Sequence, residues 1–448
     1  MPRRVFISFL GTNNYIECKY RDGDYVSPPV RFIQEALLRN ICRHWTSDDR
    51  VLIFCTEEAE RKNWLDNGQE RAASEVERQG LQQRSALFAA EPDGLKVPVE
   101  MVHIAEGFTE DDVWRIFSVV YEKLEPQDEI YFDVTHAFRS IPIFSVVLFN
   151  YARFMKDTRI MAVKYGAFEQ LGPAFQVKDI PVEERVAPVL DLTNIVRLQE
   201  YNQIASNLKD FGKVKSLKSV LAYVGEIPAD GVIRDLSNSI AEMDEYIATI
   251  DLRKIKSGNF IKKFRDSYKF VTRKRTMLAP IMNILHELYR ETQDFVPEDS
   301  FRNIEAAVNW TIKHDMLMQA YPLAEEYIIR WTATKYAEER PSALNPKKYH
   351  IFISSLLGMP QEDFRMRQWK ETLALYPDVA NMLADEPFII RLRPLYDKVR
   401  NMRNSLAHGN GSVTYRQLQQ GVVDIVQCLT YLNPEYKNYQ STQELPSF

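Results

Sequence analysis

Within the first 165 residues, five short β-branched or aromatic runs alternate with helix-patterned stretches. The runs are 4–10 (RVFISFL), 51–55 (VLIFC), 99–104, 129–134 (EIYFDV) and 159–165. Unbroken apolar runs of this length read as strands buried on both faces. Strands of that kind separated by helices form one parallel, doubly wound sheet, because each crossover lays its helix on a face. Ser27 before Pro28 and Pro29 opens a helix over 31–43, and Thr109 with its run of acids opens one to about 124. Ser140-Ile141-Pro142 opens a helix apolar nearly all round, which is expected to be buried. The stretch 57–90, after a cap at Thr56, reads as a charged, solvated helical arm. Residues 11–26 form a long loop before the first helix, and long ordered loops are usually functional.

In a 3-2-1-4-5 strand order, strands one and four are neighbours whose connections leave in opposite directions. Ligands bind outside the carboxyl ends of the strands at such a point. The two loops there are Gly11-Thr12-Asn13-Asn14-Tyr15 and Thr135-His136-Ala137-Phe138-Arg139-Ser140. Small donors, backbone amides, the Arg139 cation and a following helix N-terminus suit an anion. No G-x-G-x-x-G follows the first strand, which disfavours a dinucleotide cofactor. Singly, each residue has a plainer role open to it. Thr12, Asn13 and Asn14 suit turns. His136 suits a buried, hydrogen-bonded histidine, Arg139 a partner for a rim acid, and Asp133 a carboxylate that bonds loop amides.

Past residue 188 the pattern turns helical, over 194–211, 217–223, 233–250, 300–314, 320–338, 360–383, 388–406 and 415–432. Breaks fall at 341–346 and 409–411, and a compact bundle is expected. The acids Glu325, Glu326, Glu338 and Glu339 read as a solvent-facing patch. Segment 252–276 is basic with Phe260, Phe264, Tyr268 and Phe270 interleaved. It suits single-stranded nucleic acid, or, as the favoured reading, a helix whose Lys and Arg stems cover an apolar face. Near the end, Leu395, Val399, Met402 and Leu406 recur at the spacing of a buried stripe. Asn401, Asn404 and His408 fall opposite, Arg403 flanks them, and Gly409 and Gly411 follow. An Asn, Asn, His and Arg surface fits a phosphate or a second subunit better than plain solvation.

Composition narrows the choice. A chain of 448 residues holds two or three domains. A net charge of −5 leaves no global basic footprint, so any RNA contact must be local. The 4 cysteines form no CxxC pair, which suggests neither a zinc site nor a disulfide framework and points to a reducing cytosol. No apolar run reaches the ~20 residues of a membrane span. Met1-Pro2-Arg3-Arg4 runs straight into a strand, which argues against a signal peptide.

Three segments together resemble a family: Phe9-Leu10-Gly11-Thr12-Asn13-Asn14-Tyr15, Asp133-Val134-Thr135-His136-Ala137-Phe138-Arg139-Ser140-Ile141-Pro142, and Lys164-Tyr165-Gly166-Ala167-Phe168. They resemble signature segments of CRISPR-associated CARF proteins of the Csx type. Arg403-Asn404-Ser405-Leu406-Ala407-His408 resembles the R-x(4–6)-H motif of HEPN ribonucleases. The resemblance covers residues 1–190 and the HEPN motif, in the expected order. It implies a Rossmann-like CARF sensor domain (1–190), a helical linker or insertion (191–297) and a helical HEPN domain (298–448), as in CARF–HEPN ribonucleases of type III systems (Csx/Csm-type). The implied ligand is a cyclic oligoadenylate, with Gly11, Thr12, Asn13, Asn14, Thr56, Thr135, His136, Ala137, Phe138, Arg139, Ser140 and Lys164 as its contacts. Ala137 departs from the Gly expected there, and its methyl group bears on ligand preference.

Arg403, Asn404 and His408 are the implied catalytic residues, completed across a homodimer or an assembly of dimers. The expected function is a cyclic oligoadenylate-activated, metal-independent endoribonuclease acting on single-stranded RNA in type III CRISPR antiviral defence. It is cytoplasmic, without a metal site, without a cofactor other than the activator, and without a membrane partner. The competing expectation is a non-enzymatic CARF regulator whose helical part binds nucleic acid and dimerises.

Overall fold

The computed structural model describes residues 2–65, 75–136, 141–218, 221, 231–274, 279–408 and 413–433. The chain divides into two compact units, Met1–Gln199 and Glu200–Phe448.

The first unit is built on an eight-stranded sheet: β1 (Arg4–Leu10), β2 (Lys19–Asp22), β3 (Tyr25–Val26), β4 (Arg50–Cys55), β5 (Val99–His103), β6 (Glu129–Asp133), β7 (Arg159–Gly166) and β8 (Val186–Asp191). Their order is β3-β2-β8-β7-β6-β1-β4-β5. The five strands legible in the sequence lie together and parallel as β5-β4-β1-β6-β7, the expected 3-2-1-4-5 arrangement. The sheet as a whole is mixed, because β8 returns antiparallel to β7 and β2 pairs parallel to β8.

Side chains of β1 alternate between two layers, as the strand period of two requires. Phe6 and Leu10 pack with Ile33 and Leu37 of the Ile33–Ile41 helix. Val5, Ile7 and Phe9 pack with Ile116 and Val120 of the Glu110–Lys123 helix and with Leu148, Phe149 and Ala152 of the Ile141–Lys156 helix.

Three expectations for this unit are corrected. The long loop after β1 contains the β2–β3 hairpin, closed at Asp22-Gly23-Asp24 with Gly23 at φ 62°. A turn of that hand wants the glycine that the sequence supplies. The described parts of the stretch 57–90 are no solvated arm. They hold a π-helical turn at Glu60–Trp64 and a helix at Leu81–Ala90, and they bury Asn63, Trp64, Leu81 and Phe88. The apolar Ile141–Lys156 helix is buried on one side only, and Val147, Tyr151, Phe154 and Met155 are exposed.

In the second unit a single core runs from Tyr201 to Leu432. The expected division at 297/298 does not separate two cores. Ser300 N donates to the Lys256 carbonyl, and Asn303 Nδ2 donates to the carbonyls of Lys256 and Glu298. The expected helix over 360–383 is three pieces, Gln361–Arg365, Glu371–Ala374 and Pro377–Ala384, with Arg367 at positive φ between the first two and Glu371 at positive φ where the second begins. A helix not expected, Pro346–Leu357, starts where the sequence suggested only a break. Asn345 caps it and Pro346 fills its first turn. Of the basic segment's aromatics, Phe260 and Phe264 are core residues. Lys263 pairs with Glu242, and Arg265 donates to the carbonyls of Thr292, Gln293 and Phe295. The described part of the segment is two helices, Leu252–Ser257 and Asn259–Lys274, with Lys254 laid over the Tyr246 ring and Lys256 over the Phe301 ring.

Among the described residues no helix is long and apolar enough to cross a membrane. All four cysteines are free and buried.

His314 sits 4% exposed at the end of the Arg302–Lys313 helix, its ring 4.6 Å from that of Trp310 and its Nδ1 3.2 Å from the Lys209 carbonyl. Desolvation first, then the Lys313 charge, lowers its imidazole to about 4, against weaker opposing effects of Glu291 and Asp210. The unfolded chain therefore takes this proton first as pH falls. Stability is fully present above the unfolded value of about 6.5 and is lost as pH drops towards the folded value. Between pH 6.5 and 4 this one group is expected to cost on the order of 2–4 kcal/mol. Chemical denaturation at both pH values, with wild type and His314→Gln, measures it. An equal loss in the two proteins would assign the effect elsewhere.

Candidate functional sites

The first site lies at the carboxyl ends of β1 and β6. After β1 the chain forms the β2–β3 hairpin at the far edge of the sheet and then returns through the Ile33–Ile41 helix to β4 on one side of β1, whereas after β6 it runs through the Ile141–Lys156 helix to β7 on the other side. This is the point at which an open α/β sheet binds ligands.

Its floor is a buried carboxylate. Asp133 ends β6 on the face that Ser8 occupies on β1, the two being register partners. Ser8 Oγ donates to Asp133 Oδ2 at 2.8 Å, and Gln34 Nε2 donates to Ser8 Oγ at 3.0 Å. Thr135 donates to Asp133 Oδ1 twice, from its hydroxyl at 2.6 Å and its amide at 3.0 Å. The same hydroxyl accepts the Gly166 amide of β7 at 2.9 Å. Burial raises the Asp133 carboxyl above its ordinary range, while the hydrogen bonds from Thr135 and Ser8 oppose that rise.

Above this floor the Gly11–Asn14 loop meets Thr135 and His136. A Cβ on Gly11 would lie 2.6 Å from Tyr15 Oη and 3.4 Å from the His136 carbonyl, so only glycine fits. The Tyr15 and His136 rings are 4.3 Å apart between centroids, and Tyr15 meets Phe32 edge-on. Desolvation lowers the His136 imidazole to about 3, so it is neutral at pH 7. Thr12 is half-buried, and Asn13 and Asn14 are exposed.

Two expected ligand contacts are engaged within the fold. Thr56 is buried at the end of β4, and its hydroxyl caps the following turn by accepting from Ala59 N at 3.3 Å. Lys164 on β7 stands opposite Asp133 in register, but its Nζ pairs with Asp22 at 2.9 Å and Asp191 at 3.3 Å. Ala137, Phe138, Arg139 and Ser140 lie outside the described residues.

Sequence reasoning missed the support beneath the loop. Asn63, 1% exposed on the π-helical turn, donates from Nδ2 to the carbonyls of Gly11 at 2.8 Å and Asn13 at 3.0 Å. Its Oδ1 accepts Arg31 Nη2 at 2.8 Å. A charged run without periodicity carries no signal for such a residue.

The second site is on the Pro387–His408 helix of the other unit. Tyr396 and Val399 are buried, and Arg403 follows Val399 by one turn on the same side. It therefore points along the edge of the core and does not stand clear with Asn401. There its Nε and Nη2 clasp Glu325 of the Leu317–Glu339 helix, Nη2 to Oε1 at 2.9 Å, and Tyr396 Oη donates to the same Oε1 at 3.0 Å. Glu325 is 5% exposed, which corrects the solvent-facing reading for that residue, while Glu338 and Glu339 are exposed as expected. The signal was present in the sequence. Tyr321, Glu325, Ile328, Thr332 and Tyr336 share one buried stripe, and a carboxylate on an apolar stripe needs a cation. The Glu325 bond holds the Arg403 guanidinium above its ordinary range, and the Tyr396 hydroxyl is raised by desolvation and by Glu325. Glu326 instead meets Arg330 at 3.2 Å and His350 at 3.4 Å. Asn404 is half-buried. His408 ends the helix, and its side chain lies outside the described residues.

A clasped, half-exposed guanidinium is a fixed cation able to hold a phosphoryl oxygen. Among the described residues no group of three His, Cys, Asp or Glu side chains is arranged around a metal position.

No family model matches the chain. A CRISPR-associated protein of Methanocaldococcus jannaschii is 24% identical over 198 residues, 44% of this chain. The chain spans about a quarter, 26%, of that curated relative's length. A structural likeness at TM-score 0.44 and 13% identity joins it to Enterococcus italicus Csm6 bound to cyclic hexa-2′-fluoro-hexa-dAMP, over 98% of this chain and 96% of that one.

Tyr396 and Arg403 share one carboxylate, so their contributions are coupled. Solvent on the Arg403 side screens the ion pair. Glu325→Gln is expected to cost about 1–2 kcal/mol, and Tyr396→Phe about 1 kcal/mol. The double variant should fall short of their sum by ~0.5 kcal/mol or more. Urea denaturation of the four proteins measures this coupling, and strict additivity would show that the hydroxyl and carboxylate do not interact in solution.

Proposed function

We propose that this chain is a cyclic oligoadenylate-activated, metal-independent endoribonuclease that cleaves single-stranded RNA in type III CRISPR defence. The observation that carries the proposal is the pairing of two sites in one chain. One is the Asp133-Val134-Thr135-His136 strand end facing the Gly11–Asn14 loop in a Rossmann-like sheet. The other is Arg403-x4-His408 on a helix of a separate helical unit. Similarity to a CRISPR-associated protein over 198 residues supports the setting.

RNA brings its own nucleophile, the 2′-hydroxyl. Cleavage then needs proton transfer at that hydroxyl and at the leaving 5′-oxygen, with donors to the phosphoryl oxygens. In this reading His408 transfers a proton or donates to the scissile phosphate. Arg403, held by Glu325, supplies fixed charge, and Asn404 orients His408 or meets the phosphate. One such set is sparse, so two sets meet across a homodimer axis. A cyclic polyanion bridging two copies of the Gly11–Asn14 crevice would favour one arrangement of the subunits, which is what allosteric control requires.

The test is cleavage of fluorogenic RNA in EDTA with tri-, tetra- or hexa-adenylate rings. Wild type should cleave only when a ring is present. His408→Ala should lose at least about a hundredfold, the usual scale of acid–base catalysis. Arg403→Ala strands the buried Glu325 carboxylate, so Glu325→Gln/Arg403→Ala is the cleaner form and should also lose activity. Wild-type turnover in His408→Ala, or strict dependence on a divalent ion, would refute the ribonuclease reading. Ring binding without any cleavage would instead favour the non-enzymatic regulator.

A further inference from the structure

The Gly11–Asn14 loop has a second layer beneath it, built from a part of the chain that the ligand reading did not include. Both Asn63 Nδ2 hydrogens go to loop carbonyls, at Gly11 and Asn13. Oδ1 is held by Arg31. Arg31, 1% exposed, also donates Nη1 to the Gln79 carbonyl at 2.6 Å and lies over the Phe32 ring at 4.7 Å. Its backbone amide donates to Glu35 Oε1, and Glu35 Oε2 accepts Arg84 Nε at 2.7 Å. The Asn63 carboxamide therefore has one orientation. Turning it over would set its oxygen against two carbonyl oxygens and its NH2 against a guanidinium.

The consequence follows from the peptide plane. Every described peptide is trans, so each N–H points opposite to the preceding C=O. With the Gly11 and Asn13 carbonyls drawn towards Asn63, the Thr12 and Asn14 amides point to the other side of the loop. Backbone N–H groups gathered on one side of a turn make a concavity that binds anions.

We infer that Asn63, locked by Arg31, is a positioning residue that turns the Thr12 and Asn14 amides towards a phosphodiester of the bound ring. The inference rests on the proposed ligand and adds the residue pair that sets its geometry. Asn63 does not touch the ligand. It acts through the loop.

The experiment uses the full chain and the adenylate ring that binds it best, chosen by calorimetry on wild type. In Asn63→Asp the shape is kept, but carboxylate oxygens face both loop carbonyls. Ring affinity should fall at least tenfold with the thermal transition retained. Hydrogen exchange on wild type supplies a second readout that needs no variant. Ring binding should slow exchange of the Thr12 and Asn14 amides, which a merely structural Asn63 would not require. Unchanged affinity in folded Asn63→Asp, or ring binding that leaves both amides exchanging freely, overturns the inference while the ligand reading stands. Failure of every ring to bind wild type is a different result, and it removes the ligand reading together with what is built on it.

Discussion

Asp133 is a carboxylate buried at the end of a sheet strand, where the backbone ladder is about to stop. Such a group is stable only if its oxygens are met by donors. Meeting them here uses Ser8 from β1 and both the amide and hydroxyl of Thr135. Through that hydroxyl the Gly166 amide of β7 is drawn in as well. Three neighbouring strands are thus tied together by side chains at the level where their loops begin. The Gly11 and Thr135 loops start from points that the carboxylate fixes, and the crevice between them inherits that rigidity.

The same rule shapes the helical unit. The Pro387–His408 helix turns three arginines inward or along its edge. Arg393 is 2% exposed and donates to the carbonyls of Leu356, Leu357 and Met359, while Arg400 donates to Gly358 at 2.5 Å. These are the last carbonyls of the Pro346–Leu357 helix and its exit, where cations are favoured by unpaired C=O groups and by the helix dipole. Arg403 meets the buried Glu325 one turn further on. The helix that carries Asn404 and His408 is therefore anchored by its cations as much as by its apolar stripe.

What the sequence showed and what it hid divide along physical lines. The five central strands are legible, because short unbroken β-branched and aromatic runs such as RVFISFL and VLIFC suit strands buried on both faces, whereas their order comes from the fold class and not from the runs. The edge of the sheet is not legible. β3 is two residues long, and its Gly23-Asp24 turn lies inside what reads as one loop. Lys164 is a ligand contact only by the resemblance, and its partner Asp22 reaches it through the β2–β8–β7 edge, which the sequence does not show. Glu325 reads as solvated beside Glu326, Glu338 and Glu339, whereas its place on the Tyr321–Ile328–Thr332 stripe marks it as buried. Asn63 was beyond reach, since nothing in a charged run states which loop a carboxamide will face.

These placements also fix the kind of recognition the first site can offer. Among the described residues around it, Lys164 is paired with two carboxylates, Arg31 is turned to Asn63 and Gln79, and His136 is held neutral by burial. What remains towards the loop side is dipolar: backbone amides and the carboxamides of Asn13 and Asn14. Dipoles attract an anion over a shorter range than a full charge does, and they require alignment. These dipoles discriminate by the spacing and direction of phosphate oxygens. In the proposed ligand that spacing is set by ring size, so the rigidity traced to Asp133 and Asn63 is the property on which choice among rings would depend.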